Sequence, residues 1–151
     1  MANRRNYLVQ GTRNVASASQ TWGVLTSTSA VRPNVYDIIF GSSATPADNA
    51  ILWTGQRITA AGTSTAYTPV PLDPGDPAAT AVAGINHTVE PTYTANAFLI
   101  RVALNQRATH RWIADPDGPL RMPATASNGI GLLPTNASFT GAVDVSMFYY
   151  E

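Results

Sequence analysis

The sequence predicts an all-β chain folded as a single antiparallel β-sandwich, jelly-roll-like, with at most one or two short helical turns. Three observations carry that expectation. Eleven prolines and eleven glycines are spread over the whole 151-residue chain and punctuate it at the spacing of short strands and turns. Between them lie segments rich in Val, Ile, Tyr, Phe and Thr, residues that suit a pleated, half-buried surface. Two of these segments alternate with period two. Phe98, Ile100, Val102 and Leu104 share one face against Leu99, Arg101, Ala103 and Asn105; Val143, Val145, Met147 and Tyr149 share another against Asp144, Ser146, Phe148 and Tyr150. Because successive strand side chains point to opposite faces, each apolar set belongs in the core. The expected core therefore holds Phe98, Ile100, Val102, Leu104, Val143, Val145 and Met147. One domain over residues 1–151 buries roughly 68–70% of its unfolded surface, enough for a core without staples.

In chain order, residues 1–6, with Arg4 and Arg5, read as a polar, basic N-terminal arm that orders on a partner, or as a frayed end. Strands are expected at 6–12, 23–28, 35–40 and 51–59, with a short helical turn following Thr45-Pro46-Ala47-Asp48 between the last two. Residues 62–75 contain three prolines and little periodicity, which predicts a long ordered loop or an edge excursion, since proline cannot donate to a sheet ladder. Asp76 as N-cap and Pro77 at the first helical position predict one or two helical turns over 77–83. Strands follow at 88–94, 98–105 and 108–113. The run Asp115-Pro116-Asp117-Gly118-Pro119 predicts a turn, with proline presetting φ and glycine supplying a permissive position. A short strand at 120–122 and strands at 129–133 and 143–150 complete the chain.

Composition narrows the chemistry. Nine basic residues balance nine acidic ones, which argues against a nucleic-acid binder and against a polybasic membrane partner. No run of 18 apolar residues is present to span a membrane, and the N-terminus lacks the apolar stretch of a cleaved leader. With that leader absent, the sequons at Asn86 and Asn136 read as coincidental. Cysteine is absent, so thiolate metal sites and cysteine nucleophiles are excluded. The two histidines, His87 and His110, show no metal-ligand spacing and read as structural. There is no Gly-x-Ser-x-Gly elbow and no phosphate-binding loop with its lysine. Asp73, Asp76, Asp115 and Asp117 sit beside Pro or Gly, where turn geometry explains them, and Glu90 is the only internal glutamate, a lone carboxylate on an expected strand. The expectation is a protein without enzymatic activity, metal or cofactor.

Only 12% of residues are charged, about half the usual roughly 25%, and every basic residue is arginine, which suits interfaces better than lysine does. A GC-rich genome explains the same bias. Arg101, Arg107, Arg111 and Trp112 fall within a short span across a strand, a turn and a strand, a composition typical of protein–protein hot spots. They are the first contact candidates, weighed against a strand face whose arginines lie flat over aromatics. Tyr67, Pro69 and Pro71 in the Pro-rich loop are the second, and Arg4 and Arg5 of the arm the third. Surface tryptophans among Trp22, Trp53 and Trp112 would offer a carbohydrate platform.

The stretches 36–50 (YDIIFGSSATPADNA), 71–78 (PLDPGDPA) and 105–112 (NQRATHRW) resemble a group of small virion structural proteins of tailed bacteriophages. The closing pieces 123–129 (PATASNG) and 137–141 (ASFTG), followed by a terminal strand, are similar to the same group. The resemblance implies a capsid decoration or cement protein with a β-sandwich or jelly-roll fold. It also implies binding to the major capsid protein or other virion subunits, a place in the virion after assembly in the host cytoplasm, and no catalytic residues. A tail or fibre component is the neighbouring reading. A soluble β-sandwich module binding carbohydrate or peptide shares the compositional features. Low surface charge further predicts a symmetric homo-oligomer, dimer or trimer.

Overall fold

A computed structural model of the chain describes residues 4–17, 20–44, 48–135 and 139–151, and among these residues it contains strands and no helix. The segment 45–47 that opens the expected short turn lies outside the described residues, as does Asn136 of the second sequon. The strands are β1 (Asn6–Val15), β2 (Gly23–Thr26), β3 (Asn34–Ser42), β4 (Ala50–Ala60), β5 (Thr63–Tyr67), β6 (Val70–Pro71), β7 (Val82–Val89), β8 (Thr92–Asn105), β9 (His110–Ile113), β10 (Leu120–Arg121), β11 (Gly129–Pro134) and β12 (Gly141–Tyr150).

They form two six-stranded sheets. Sheet A runs β10-β3-β12-β1-β6, with β9 also on β3; sheet B runs β5-β7-β2-β11-β4-β8. The pairings are antiparallel and nested: β1 with β12, β2 with β11, β3 with β9 and β4 with β8. A long antiparallel ribbon wrapped so that alternate strands fall in opposite sheets is the jelly-roll arrangement. The segment β5–β7 is inserted between β4 and β8. It lengthens sheet B through β7 on β2 and caps the edge of sheet A through β6 on β1.

The core lies between the sheets. Tyr7 and Tyr149 stack within it at 5.4 Å, and the rings of Phe40 and Trp53 meet at 5.0 Å. Val143, Val145 and Met147 are buried as the alternation of β12 requires, as is Ile100, while Val102 and Leu104 are partly buried against the same cluster. Trp22 and Trp53 are fully buried and Trp112 packs partly buried against the core, so none of the three offers an open carbohydrate platform.

Three expectations are corrected. Phe98 is 42% exposed rather than in the core. In the β4–β8 ladder Gly55 pairs with Ile100 and Gln56 with Phe98, leaving Leu99 as an extra residue. One extra residue inverts the alternation, so Leu99 packs against the core in place of Phe98. The helical turns expected over 77–83 do not form. The Thr80 and Ala81 amides donate instead to the Glu151 carboxylate at 2.8 and 3.0 Å, Ala81 and Ala83 are buried, and Val82 pairs with Thr26 in sheet B. Long-range partners thus override a local capping signal. The strand expected at 88–94 is broken at Glu90 and Pro91, β7 ending before them and β8 opening after them; Pro91 has no amide to continue a ladder. The 62–75 segment is an edge excursion, with β5 and β6 both at sheet edges.

Of the segment 1–6, Arg5 exchanges backbone hydrogen bonds with Glu151 (3.2 and 3.1 Å) and Asn6 opens β1. The chain is therefore anchored to its own C-terminal strand from Arg5 onward. The turn at 115–119 closes through a 2.9 Å bond from the Gly118 amide to the Asp115 carbonyl.

Candidate functional site

The arginines that lie close in sequence do not share a surface. Ile100 points into the core, so its neighbour Arg101 stands on the outer side of sheet B, where its guanidinium lies 5.3 Å from the Phe98 ring. The chain then crosses to sheet A at residues 106–109. Arg107, in that crossing, pairs with Asp48 at 3.1 Å on the open surface. On β9, His110 and Trp112 turn inward, His110 against Phe40 at 5.3 Å, which leaves Arg111 on the outer side of sheet A. There it grips Asp37 with a two-pronged set of bonds of 2.5–3.1 Å. Asp37 is only 5% exposed. Its carboxylate holds the Arg111 pKa above the ordinary arginine value through hydrogen bonding and direct charge attraction.

The Pro-rich candidates are packing residues as much as surface ones. Pro69 is buried, Pro71 pairs with Tyr7 in the β1–β6 ladder, and Tyr67 is half-buried against the core. The open apolar groups of this corner are Val70 and Leu72.

An aromatic face does form on the outer side of sheet A, from residues the sequence does not group. Between Phe148 and Tyr149 of β12 the ladder with β3 shifts: Phe148 pairs with Asp37 and Tyr149 with Val35, leaving Tyr36 as the extra residue. Val35 and Ile38 are both in the core, so the bulge puts Tyr36 and Asp37 side by side on the outer face. Re-aiming a side chain is what such bulges do. Tyr36 meets Phe148 at 6.4 Å and Tyr150 at 6.2 Å, and Arg4 lies over the Tyr150 ring at 4.6 Å. Burial and the neighbouring Asp37 charge raise the Tyr36 pKa, so its hydroxyl stays protonated and available as a donor. Beside these rings is a groove of about 390 Å³ bordered by Arg4, Asn6, Tyr36, Ile113, Asp115 and Tyr150. Ile113 is 61% exposed, the most open large apolar side chain among the described residues. Aromatic rings, an arginine and an open isoleucine around one groove can hold an apolar anchor from a partner while Arg4 and Asp115 bond its polar ends.

His87 and Glu90 belong to a polar bracket on a different part of the molecule, buried at Arg13, Thr21 and His87 and open at Glu90. Arg13, on β1 of sheet A, reaches across to donate to the Thr21 and His87 carbonyls, the latter at 2.9 Å, and lies 3.7 Å from Glu90. Glu90 accepts from the Thr21 amide at 2.9 Å and from its hydroxyl, which also meets Tyr93 at 2.6 Å. His87 Nε2 lies 3.1 Å from the Ala61 carbonyl. Burial lowers the His87 pKa and raises that of Tyr93, so both are neutral. Arg13 is the member that joins the two sheets, and the buried His87 Nδ1 has no hydrogen-bond partner. Among the described residues no group of three or more His, Asp or Glu side chains is placed to hold a metal ion.

A scan against protein-family models found no match, and neither did searches of curated proteins and of solved structures.

Proposed function

We propose that the protein is a structural component of a tailed-bacteriophage virion, a capsid decoration protein that binds the major capsid protein and stabilises the head. The observation that carries this reading is the outer face of sheet A. Tyr36, Phe148, Tyr150, Arg4 and Ile113 form an aromatic and arginine surface on a rigid sheet, the composition that concentrates binding energy at protein interfaces. The jelly roll is a common shell-protein architecture, and the wording of residues 36–50 and 105–112 favours the same class. The working unit is a symmetric dimer or trimer. With zero net charge, long-range steering is weak and the contact relies on packing and short hydrogen bonds.

Cryo-electron microscopy of purified particles is the test. The expected result is density for this chain on the head, with the outer face of sheet A turned toward the shell, retained after a wash in about 0.5 M salt, where the Debye length falls to roughly 4–5 Å. Absence from particles would overturn the reading, and density confined to the tail or fibre would move it to the neighbouring one. Sedimentation of the free protein as a strict monomer would remove the oligomer.

A second reading is a carbohydrate-binding module, since jelly rolls also serve as lectin domains. It is favoured by Asn6, Asp115 and Arg4 around the Tyr150 ring, polar groups placed beside an aromatic face. Glycan-array binding lost in Tyr150→Ala would select it.

A further inference from the structure

A cavity of about 390 Å³ opens where the end of β4 approaches β10 across the sandwich, and three arginines line it: Arg32, Arg57 and Arg121. They arrive from three separate elements, the segment before β3, the strand β4 of sheet B and the strand β10 of sheet A. Thr59, Thr94 and Asn128 supply polar groups to the wall, and no carboxylate lines it. A third of the nine basic residues of a sparsely charged chain therefore face one space.

Each guanidinium is fixed by uncharged partners. Arg32 donates through Nε to the Met122 carbonyl at 3.0 Å. Arg57 donates through Nη1 to the Arg121 carbonyl at 2.7 Å, with the Met122 sulfur at 4.0 Å. Arg121 donates through Nε to Asn34 Oδ1 at 3.0 Å. A guanidinium carries five N–H donors in a planar fork, so one nitrogen of each orients the group and the others remain for a ligand. The ion pairs among the described residues engage Arg5, Arg13, Arg107 and Arg111, none of the three here. Gathering like charges around a concave, partly desolvated space is unfavourable unless an anion offsets it; burial already lowers the Arg57 pKa.

We propose that this cavity is a binding site for a tetrahedral oxyanion, the phosphate or sulfate group of a small ligand, held by Arg32, Arg57 and Arg121 together. The protein itself shows what a planar carboxylate requires: Asp37 is satisfied by the single fork of Arg111. Three forks converging from three elements suit an anion whose oxygens are not coplanar and whose charge approaches two. The threonines and Asn128 would then bond the group that carries the anion.

The site is tested by titrating the full chain, at low ionic strength and followed by backbone amide NMR, with four probes: inorganic phosphate, inorganic sulfate, glucose 6-phosphate and N-acetylglucosamine 6-sulfate. The expected result is a saturable shift confined to residues around Arg32, Arg57 and Arg121, tighter for whichever ester supplies the natural group. Arg32→Gln and Arg121→Gln change exposed side chains and keep the fold, and each should weaken binding about tenfold, the loss of one charge-assisted contact. Arg57→Lys should recover part of what Arg57→Gln loses. Arg101→Gln removes the same charge from the outer side of sheet B and should leave affinity unchanged. No saturable shift with any probe, or equal weakening by Arg101→Gln, would overturn the proposal.

Discussion

At the scale of single residues, the polar bracket around Arg13 does more for the molecule than the surface ion pairs. Glu90 accepts two bonds from Thr21 and faces Arg13, while exposed pairs such as Arg107 with Asp48 are screened by water and contribute little. Because Glu90 is itself partly open, its hydrogen bonds outweigh the ion pair. Glu90→Ala is expected to cost about 2 kcal/mol, chiefly by orphaning the buried Thr21 amide, measured as a lower denaturant midpoint at unchanged m-value. The same bracket gives a pH dependence. Burial lowers the His87 pKa in the native state, so below about 6.5, the ordinary histidine value, the unfolded chain takes a proton that the native chain refuses. The His87 contribution is fully present above that pH and is lost as pH falls toward the native value. Thermal melts between pH 7 and 5 should show this decline, and His87→Gln, which keeps a donor for the Ala61 carbonyl, should flatten it.

At the scale of elements, local signals were legible where a strand's partners agree with its own pattern, and illegible where distant partners decide. The alternation of β12 placed Val143, Val145 and Met147 correctly because that strand runs unbroken between β1 and β3 on their side of the bulge. β8 carries the same alternation, but the extra residue at Leu99 turns Phe98 outward, and no composition cue marks the bulge. The aromatic face is illegible for the same reason: Phe148 and Tyr150 sit on the side of β12 that opens with Asp144 and Ser146, and Tyr36 joins them through the bulge in β3. The arginine grouping at 101–111 failed because the chain changes sheets at the turn between. β7 was hidden by helix-start chemistry at Asp76 and Pro77, overruled by the carboxylate of Glu151 on the Thr80 and Ala81 amides. That explanation has a test. Glu151→Ala should speed hydrogen exchange of the Thr80 and Ala81 amides about fivefold, as expected for losing a bond worth roughly 1 kcal/mol, while the amides of β2 and β11 stay protected. Unchanged exchange at Thr80 would show that Ala81 and Ala83 burial alone holds the segment.

At the scale of the whole molecule, the first and last strands pair along their full length, from Asn6 with Tyr150 to Val15 with Gly141. Strand β12 lies between β1 and β3 rather than at an edge, so sheet A cannot assemble until the C-terminal segment is present. Such closure of nearly the entire chain is slow, and folding in the millisecond-to-second range of non-local β-topologies is expected. The energetics follow from the same placement. Val143, Val145, Met147 and Tyr149 are all buried, and at about 1.5–3 kcal/mol for each fully buried large side chain their loss rivals the 5–15 kcal/mol by which such a domain is stable at all. Removing residues 141–151 should therefore abolish the native fold rather than trim it. It also strips Arg5 of its backbone partner and the 77–81 segment of its carboxylate. Circular dichroism of the truncated chain should show loss of the cooperative melt. A synthetic peptide of residues 141–151, added in trans, should restore the melt by inserting between β1 and β3, because the vacated groove presents unpaired backbone groups on both sides and four apolar pockets at alternate positions. A truncated chain that melts cooperatively without the peptide would show that β1 and β3 close on each other, and the central role given to β12 would be wrong.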